Sequence, residues 1–393
     1  MKSILIVNNN MKIGGVQKSL CNLLWSIKDQ YDITLCLFSP VGEYMDDLPP
    51  NIKIISCDSP FYYLGVSQKE CAHNPYDFLM RGMLAFMCKL FGRKAVMPLI
   101  LKGQKRLPLH YDCAISYLQN GDPHNFYGGC NEFVLEKVNA ERKIAFLHCD
   151  YLRCGANCDA NNAAYKEFDA IAACSDGCRE SFIQAMPELA AKCKTVPNFH
   201  RYDKIRALAD ENTYAFDSNV FNVVMVGRLA HEKGVDRAVR AIQYVRGQGI
   251  PAMLHLIGSG PMEKELRTMV DELKLTDAVV FHGSQSNPYR FMRDATLLLI
   301  TSLHEAAPMV IDEACALSLP VLTVATTSSD EMVLKRGCGW ACGNDQASLD
   351  DMLVAVLKNA NSICGIREHL MEGRFDNGWV NSAFNGLIGA END

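Results

Sequence analysis

Residues 222–246 read NVVMVGRLAHEKGVDRAVRAIQYVR, and two different periodicities meet in this stretch. Residues 222–226 are apolar at nearly every position, as expected for a strand that is buried on both faces of a parallel sheet. After a polar turn, residues 234–246 place apolar side chains at helical spacing. The stretch therefore predicts one strand–turn–helix unit of an α/β protein.

The same unit recurs along the chain. Ten further runs are short and apolar at nearly every position, and amphipathic segments such as 262–273 lie between them. These predicted strands are residues 3–7, 33–38, 52–56, 113–118, 143–147, 170–174, 253–257, 279–281, 297–301 and 321–324. Their alternation with helical segments predicts doubly wound parallel sheets.

A break near the middle of the 393-residue chain divides the pattern. Residues 196–198, Val-Pro-Asn, interrupt the alternation, and the polar stretch 201–219 then leads into a new strand. We therefore expect two Rossmann-like domains, residues 1–198 and 199–374, which agrees with about 150 residues per domain. Ligands of such folds bind beyond the carboxyl ends of the strands, so a cleft between two facing sheets is the expected site.

The composition is that of an ordinary globular protein, with 49% apolar and 21% charged residues. A net charge of −6 argues against a nucleic-acid partner held by a global positive field. The apolar residues 4–7 are too few for a secretory signal, and no uncharged apolar run reaches the roughly 18 residues of a membrane span. We therefore expect a cytoplasmic protein.

The chain contains 17 cysteines, which are expected to be reduced thiols in a cytoplasmic protein. The densest group begins directly after His148 and consists of Cys149, Cys154, Cys158, Cys174 and Cys178. No cysteine pair has the CxxC spacing of common zinc sites. The sequence thus favours buried apolar cysteines over a metal site, and we expect neither a metal nor a cofactor.

Gly14 and Gly15 follow the first predicted strand and precede a helical segment. A strand, a glycine turn and a helix start bring backbone N–H groups close to a ligand, and the N-terminus of a helix favours an anion. A phosphate site and an ordinary tight turn are therefore both open interpretations. The motif is not GxGxxG, which disfavours a dinucleotide site.

Arg228 and Lys233 follow the strand at 222–226. Arginine offers a planar fork and lysine a mobile point charge, so the pair can hold a diphosphate. The alternative is that both are solvated cations of a loop.

Residues 301–314 read TSLHEAAPMVIDEA and contain two glutamates, Glu305 and Glu313. Glu305 precedes a predicted helix, and Glu313 lies eight residues further on. Eight residues span a little over two turns of a helix, which predicts that the two carboxylates project from similar sides. Carboxylates accept hydrogen bonds from sugar and ribose hydroxyls. Alternatively, Glu305 is a charge near the start of the helix and Glu313 is a surface residue.

Pro308 lies between these two acids and suits the first turn of a helix. The backbone N–H groups of Met309 and Val310 would then be available to a phosphate. The segment therefore predicts an anion site flanked by two hydroxyl-binding acids.

Six motifs occur in a fixed order: Gly14-Gly15, Val226-Gly227-Arg228, Glu232-Lys233-Gly234, Gly258-Ser259-Gly260-Pro261, Phe281-His282-Gly283 and Glu305-x7-Glu313-Ala314. In this order they resemble the family-4 (group 1) retaining glycosyltransferases of the GT-B fold, of the bacterial capsule and exopolysaccharide type. The resemblance covers nearly the whole chain and is weakest from about residue 61 to 109. Residues 145–151, AFLHCDY, are similar to the segment that carries an active-site histidine in such enzymes. Residues 168–175 and 196–198 fit the end of their N-terminal domain.

The resemblance implies a role for each matching residue. Arg228 and Lys233 match the pair that binds the donor diphosphate and stabilises the leaving group. Glu313 matches the acid that holds the ribose hydroxyls, and Glu305 the acid that contacts the transferred sugar. His148 matches the histidine at the reaction centre. The further donor-binding residues are Gly14, Gly15, Gly258, His282, Pro308, Met309 and Val310.

One residue that departs from the family pattern leaves the identity of the donor sugar open. The family usually has glycine directly after the first of the two acids, and this chain has Ala306, whose methyl group can tighten the sugar pocket. UDP is the expected carrier and GDP the alternative. Since the chain has no Asp-x-Asp motif, Arg228, Lys233 and the helix start at Met309 are expected to replace a metal ion.

Residues 81–106 carry seven cations and no acid, with apolar residues between them. On an acidic protein this stretch suits an anionic membrane surface, where each Lys or Arg contributes about 1 kcal/mol. The alternative is a helix pair packed on the N-terminal sheet with a solvated basic face. The first interpretation fits a polyprenyl-linked acceptor and a protein bound peripherally to the inner face of the plasma membrane.

The segment 375–393 predicts a terminal helix, because Phe375, Trp379, Ala383 and Leu387 form one apolar stripe. Val380, Phe384 and Ile388 widen this stripe. The resemblance implies that this helix crosses back to the N-terminal domain. The alternative is that it packs on the C-terminal sheet.

The sequence thus predicts a metal-independent, retaining glycosyltransferase. It would move a hexose or related sugar from a nucleotide-diphosphate sugar to a glycan or lipid-linked glycan in the synthesis of a surface polysaccharide such as a capsule. A nucleotide-sugar epimerase of the same fold is one alternative, but such enzymes use different C-terminal motifs from the Glu305/Glu313 pair. A non-catalytic sugar-nucleotide-binding protein is the other, but binding alone does not need His148 together with Arg228 and Lys233.

Overall fold

The structure is a computed structural model that describes residues 1–57 and 60–389. These residues form two compact units. The first consists of Met1–Phe199 and of the chain from Asn377 onward, and the second of His200–Asp376. Within the segment predicted as a terminal helix, residues 390–393 lie outside the described residues.

Each unit is built around a parallel β-sheet. In the described part of the first unit the strands are β1 (Ser3–Asn8), β2 (Asp32–Leu37), β3 (Lys53–Ser56), β4 (His110–Ser116), β5 (Asn139–Leu147), β6 (Ala170–Ala173) and β7 (Cys193–Thr195). In the second unit they are β8 (Phe221–Val226), β9 (Ala252–Ile257), β10 (Val279–Gly283), β11 (Leu297–Ile300), β12 (Val321–Val324) and β13 (Gly339–Cys342).

Helices cover both sheets and follow most strands. In the first unit they are α1 (Gly15–Ile27), α2 (Tyr62–Gly65), α3 (Pro75–Phe91), α4 (Arg93–Gly103), α5 (Cys130–Lys137), α6 (Asp159–Lys166) and α7 (Asp176–Ala185). The second unit contains α8 (Tyr202–Asp210), α9 (Val235–Gly247), α10 (Glu263–Glu272), α11 (Tyr289–Met292), α12 (Met309–Ala316), α13 (Gln346–Lys358) and α14 (Ala360–Glu372). The last helix, α15 (Gly378–Leu387), belongs to the first unit.

The strand order confirms the predicted doubly wound α/β architecture. The first sheet has the order β3-β2-β1-β4-β5-β6-β7 and the second β10-β9-β8-β11-β12-β13, with parallel pairing throughout the described strands. The order reverses between β1 and β4 and between β8 and β11, and ligands of such sheets bind beyond the carboxyl ends of strands at this reversal. Gly14 and Gly15 follow β1, while Arg228 and Glu305 follow β8 and β11.

Two strands, β7 and β13, were not predicted from the sequence. Each is the outer strand of its sheet and has only three or four residues. In β7, Lys194 is exposed, and β13 has partly exposed residues at Gly339, Trp340 and Ala341. An edge strand has one free side, so it does not need the continuous apolar run by which buried parallel strands are recognised.

Helix α15 packs on the core of the first unit. Val380, Phe384, Leu387 and Ile388 are buried there, and the rings of Phe384 and Phe199 meet edge to face at a centroid distance of 6.0 Å. The predicted stripe is wrong in part, because Trp379 is 63% exposed. Phe375 lies before the helix and packs with the second unit instead.

Helices α3 and α4 cover most of the basic stretch at 81–106, and Lys105 and Arg106 follow α4. Two of its seven cations point into the unit: Arg93 is 4% exposed and donates to Asn161 Oδ1 at 2.6 Å, and Arg81 donates to the Val66 carbonyl at 2.8 Å. The other cations are exposed, namely Lys89, Lys94, Lys102, Lys105 and Arg106. Among the helices formed by residues 1–57 and 60–389, none combines the length and the apolar character needed to cross a membrane.

Candidate active site

Hydrogen bonds tie together the two loops that follow β8 and β11. The Thr301 hydroxyl lies 3.0 Å from the Lys233 carbonyl oxygen and 2.8 Å from that of Gly234. The Leu303 N–H donates to the Glu232 carbonyl at 2.9 Å. Gly234 has a φ of +58°, and a Cβ there would lie 2.3 Å from the Thr301 carbonyl oxygen, so only glycine allows this close approach. The two loops therefore hold a fixed position relative to each other.

Lys233 and Glu305 form an ion pair across these loops. The Lys233 ammonium donates to Glu305 Oε1 at 2.5 Å, and the Ser302 hydroxyl donates to the same oxygen at 2.7 Å. The Glu305 side chain is only 13% exposed, so water screens this charge-assisted contact weakly. The structure thus brings together two residues that the sequence assigned to one site. It adds Ser302, which sequence reasoning missed because a serine at the end of a strand carries no distinctive signal.

Glu305 does not share a helix with Glu313. Helix α12 begins at Met309, and Pro308 is its N-cap residue with extended backbone angles. Helical spacing therefore does not relate the two residues, and projection of both carboxylates from similar sides stays a prediction. Proline disfavours the helical conformation in the residue before it, so the helix cannot start earlier without strain. Lys233 and Ser302 position the Glu305 carboxylate instead.

Glu313 lies in the second turn of α12 and is 2% exposed. The alternative interpretation of Glu313 as a surface residue is therefore wrong. Burial of a carboxylate is costly unless polar groups surround it, so an acid at this position is expected to serve a specific contact.

Arg228 extends from the loop after β8, and its side chain is 68% exposed. Its guanidinium pairs with the carboxylate of Glu232, four residues further along the same loop. Exposed ion pairs contribute little to stability, typically about 0–1 kcal/mol. An anionic ligand can therefore take the place of Glu232 beside Arg228 at small cost in free energy.

The first turn of α12 carries an acid, Asp312, that sequence reasoning did not weigh. Arg336 Nη1 donates to Asp312 Oδ1 at 2.7 Å, and His200 Nε2 lies 3.3 Å from Asp312 Oδ2. Burial raises the pKa of Asp312, but His200 and Arg336 outweigh this effect and hold the pKa at about 2. Because Arg336 compensates the carboxylate charge, the first-turn N–H groups of Met309 and Val310 remain favourable for an anion.

The turn after β9 supports the loop that carries Arg228. Gly258 has a φ of +145°, and a Cβ there would lie 1.8 Å from the Gly227 carbonyl oxygen. The Gly258 N–H donates to the Gly283 carbonyl at 2.8 Å. Glycine at 258 therefore permits three neighbouring loops to pack backbone against backbone, which positions the loop that carries Arg228.

His282 turns its ring toward residues of its own unit. His282 Nε2 lies 3.1 Å from His255 Nδ1, and His255 Nε2 lies 3.1 Å from Asn222 Oδ1. The two imidazoles stack at 5.3 Å, and the Phe291 ring lies 4.5 Å from that of His282. Burial lowers the pKa of both histidines, that of His255 to about 4. These contacts account for His282 structurally, so donor binding by its side chain stays a prediction.

In the first unit, the space beside Gly15 is open. Gly15 is the first residue of α1, the first turn contains no acid, and no side chain caps it. Apart from its chain neighbours and the backbone of α1, no described atom lies within 4 Å of a Cβ built at Gly15. At Gly14 such a Cβ would meet the flexible Gln17 side chain and the Lys12 carbonyl. The first-turn N–H groups can therefore face a ligand, as a phosphate site requires.

His148 follows β5 and lies close to α1. Its ring is 4.8 Å from that of Tyr117, whose hydroxyl is 2.8 Å from Ser19 Oγ on α1. Burial lowers the pKa of His148 to about 4, against a smaller opposing effect of its hydrogen bond to the Tyr117 backbone. Its Nε2 is buried without a hydrogen-bond partner among the described residues. Burial therefore favours the neutral imidazole of His148, whose Nε2 has unused capacity for a hydrogen bond.

Comparison with known proteins supports the family resemblance. Residues 209–368 match the family model of the glycosyl transferases group 1. The chain is 27% identical over 174 residues to the uncharacterized glycosyltransferase MJ1059 of Methanocaldococcus jannaschii, which is 43% of each protein. Less than half the length of that relative is thus matched. A Campylobacter jejuni protein named N-acetylgalactosamine-N,N'-diacetylbacillosaminyl-diphospho-undecaprenol 4-alpha-N-acetylgalactosaminyltransferase is 23% identical over 390 residues, which cover 94% of this chain and 90% of that protein.

Solved structures share the fold over nearly the full length. Anabaena HepE in complex with UDP and glucose has a TM-score of 0.70 at 18% identity and covers 99% of this chain and 100% of its own. WaaG, a glycosyltransferase involved in lipopolysaccharide biosynthesis, has a TM-score of 0.66 at 16% identity and covers 98% of this chain and 100% of its own. The two parallel-sheet units are thus those of a GT-B fold. Together with the match of residues 209–368 to the family model, this confirms the resemblance to the group 1 glycosyltransferases.

Proposed function

We propose that this protein is a retaining glycosyltransferase of surface-polysaccharide synthesis. It transfers a hexose or related sugar from a nucleotide-diphosphate sugar to a glycan or lipid-linked glycan. The observation that carries the proposal is the Lys233–Glu305 ion pair, shielded from water beside the start of α12. One cation, one carboxylate and a helix N-terminus lie together there, and a sugar diphosphate needs partners of each kind.

The leaving group is stabilised by positive charge. When the bond between the sugar and the diphosphate breaks, negative charge develops on the diphosphate oxygens, and cations or N–H groups aimed at them lower the barrier. Lys233 and Arg228 supply the cations, and the first turn of α12 supplies the N–H groups. Since these groups provide the charge that a metal ion supplies in other transferases, we expect turnover in the presence of a chelator.

The hydroxyl groups of the donor have separate acceptors. Glu313, buried on α12, accepts from the ribose hydroxyls, and Glu305 accepts from the transferred sugar. His148 Nε2 accepts from a hydroxyl of the sugar at the reaction centre. UDP is the favoured carrier, which the UDP complex of the HepE structure supports.

The exposed face of α3 is the proposed membrane contact. Its apolar side chains recur at helical spacing and are largely exposed, with Leu79 at 69% and Phe86 at 62%. The same face continues through Tyr76, Met83 and Leu90. Exposed cations follow on α3, on α4 and beyond, and residues 78–109 contain no acid, so the surface complements an anionic bilayer. A membrane-bound enzyme would meet a polyprenyl-linked acceptor directly.

Donor turnover tests the activity. The purified full chain is incubated with UDP-glucose or another UDP-sugar, with and without excess chelator, and the products are followed by proton NMR. We expect slow release of UDP and free sugar that the chelator leaves unchanged, because many transferases pass the sugar to water when no acceptor is present. Conversion of the donor into an isomeric UDP-sugar would show an epimerase instead. Binding without any turnover, including in the presence of lipid-linked acceptors, would show a binding protein.

Sedimentation with vesicles tests the membrane contact. Leu79→Glu with Phe86→Glu is expected to abolish binding to vesicles that contain phosphatidylglycerol. Met371→Glu is the matched control, since Met371 is 66% exposed on α14 of the second unit. If both variants bind the vesicles equally well, α3 does not form the membrane contact.

A further inference from the structure

The loop after β5 holds two cysteines side by side. Cys149 follows His148 directly, and Cys149 Sγ lies 3.0 Å from Cys154 Sγ. Cys149 is partly buried and Cys154 is exposed. All 17 cysteines of the chain are free thiols in the structure, so this contact is between two thiols.

A tight turn brings the two thiols together. The N–H groups of Arg153 and Cys154 donate to the Asp150 carbonyl at 3.1 and 2.9 Å. The Asp150 carboxylate in turn accepts from the Ser181 hydroxyl at 2.5 Å, which fixes the turn to α7. Cys149 and Cys154 are therefore held near each other by the backbone, and bond formation between them needs little further ordering of the chain.

The surroundings favour Cys154 as the reactive thiol. The contact with Cys149 lowers the pKa of Cys154, an effect that burial opposes and the Ala156 N–H supports. The same contact, together with burial, raises the pKa of Cys149. The thiolate is the nucleophile in thiol–disulfide exchange, so the exposed Cys154 reacts first and Cys149 second.

Other close cysteine pairs lack this combination. Cys36 Sγ and Cys57 Sγ are 3.4 Å apart, and Cys174 Sγ and Cys178 Sγ are 3.8 Å apart, but neither pair has an exposed member. Cys364, the other exposed cysteine, lies on α14 of the second unit.

We propose that Cys149 and Cys154 form a reversible disulfide bond beside His148 when the protein meets a low-molecular-weight disulfide. The Cys154 thiolate attacks one sulfur of the small disulfide, and one small thiolate leaves. The Cys149 thiol, losing its proton, then attacks Cys154 Sγ of the mixed disulfide and releases the second small thiolate. In total, two protein thiols and one small disulfide give one protein disulfide and two small thiols, so the small disulfide is the oxidant. The bond closes a loop of six residues that starts one position after His148.

Mass spectrometry tests the bond independently of the proposed transferase activity. The reduced full chain is treated with glutathione disulfide, quenched in acid, alkylated and digested. We expect Cys149 and Cys154 to be joined and protected from alkylation, with two hydrogen atoms lost, and dithiothreitol to restore both thiols. The result would overturn the proposal if both cysteines were alkylated as in the untreated protein, or if either were joined to another cysteine.

Substitutions test the order of the two steps. In Cys149→Ser, Cys154 should retain glutathione as a trapped mixed disulfide, because the second thiol is missing. In Cys154→Ser, Cys149 should stay largely unmodified. Cys364→Ser is the matched control and should form the 149–154 bond at the rate of the natural protein. If the natural protein kept glutathione on Cys154, the proposal would be contradicted. This measurement uses the unsubstituted chain, so it does not depend on whether the variants fold.

Discussion

Lys233 Nζ and Glu305 Oε1 lie 2.5 Å apart although 72 residues separate them in the sequence. The contact exists because β8 and β11 are neighbours in the second sheet, so the loops that follow them start side by side. Thr301 then fixes the backbone of Lys233 through its hydroxyl. The parallel order of the strands, rather than any local motif, thus places a cation against a carboxylate at the edge where ligands of this fold bind.

Loss of Lys233 should lower transfer strongly. Lys233→Ala removes a cation from the proposed leaving-group site and leaves Glu305 without its ion-pair partner. A hydrogen bond to a charged group is worth about 1.5–3 kcal/mol, so kcat/KM should fall about tenfold to a hundredfold. Lys264→Ala is the control, because Lys264 is an exposed lysine on α10 of the same unit. The measurement is donor hydrolysis at several donor concentrations. If Lys233→Ala behaves like the control, the ion pair has no part in turnover.

Glu313→Ala should weaken binding of UDP alone. The buried carboxylate is the proposed acceptor for the ribose hydroxyls, and removing one partner of a buried hydrogen bond costs about 1–3 kcal/mol. Titration calorimetry with UDP measures this loss, and the thermal midpoint of the free protein shows whether the variant is folded. Glu272→Ala, an exposed acid at the end of α10, should bind UDP normally. An unchanged affinity in Glu313→Ala would exclude the ribose contact.

His148 should make the protein less stable as the pH falls. Its pKa is about 4 in the folded protein and about 6.5 when unfolded, so the unfolded chain binds the proton first. The resulting stability loss begins as the pH drops through 6.5, and grows until the pH reaches about 4. Between pH 7 and pH 5 it amounts to about 1–2 kcal/mol for one such histidine.

Denaturant unfolding at pH 7 and pH 5 measures this effect. His148→Gln should be less sensitive to pH than the natural protein by that amount. His124→Gln is the control, because His124 is an exposed histidine of the same unit. If His148→Gln retains the full pH dependence, the imidazole is not held neutral by burial.

Strands were more predictable from the sequence than the site was. A strand buried on both faces is apolar at nearly every position, so runs such as 222–226 and 321–324 can be recognised as strands from the sequence alone. The ends of β8 and β12 agree with those runs to within one residue. The edge strand β13 has no such requirement and was missed.

Within the site, sequence spacing was a poor guide to geometry. The spacing of eight residues between Glu305 and Glu313 is not helical throughout, because α12 starts only after Pro308. Arg336 compensates the charge of the Asp312 carboxylate although the two residues are 24 positions apart in the sequence. Only the packing of the second unit brings them together. Contacts of this kind depend on tertiary structure and leave no local pattern in the sequence.

Phe384→Ala should destabilise the first unit specifically. Phe384 is completely buried on α15 and packs against Phe199 and Phe146, and loss of such a side chain costs about 3–5 kcal/mol. Trp379→Ala is the control on the same helix, and its effect should stay within about 0.5 kcal/mol because Trp379 is mostly exposed.

Hydrogen exchange locates the effect of Phe384→Ala. The α15 helix is bound to the first unit by specific contacts: Arg142 Nε donates to the Leu387 carbonyl at 2.9 Å, and the Tyr31 hydroxyl donates to Asn385 Oδ1 at 2.9 Å. Weakening the helix should therefore speed exchange in β1 and β5, which share its core, while the strands of the second unit keep their protection. Faster exchange confined to β8–β13 would mean that α15 stabilises the second unit in solution.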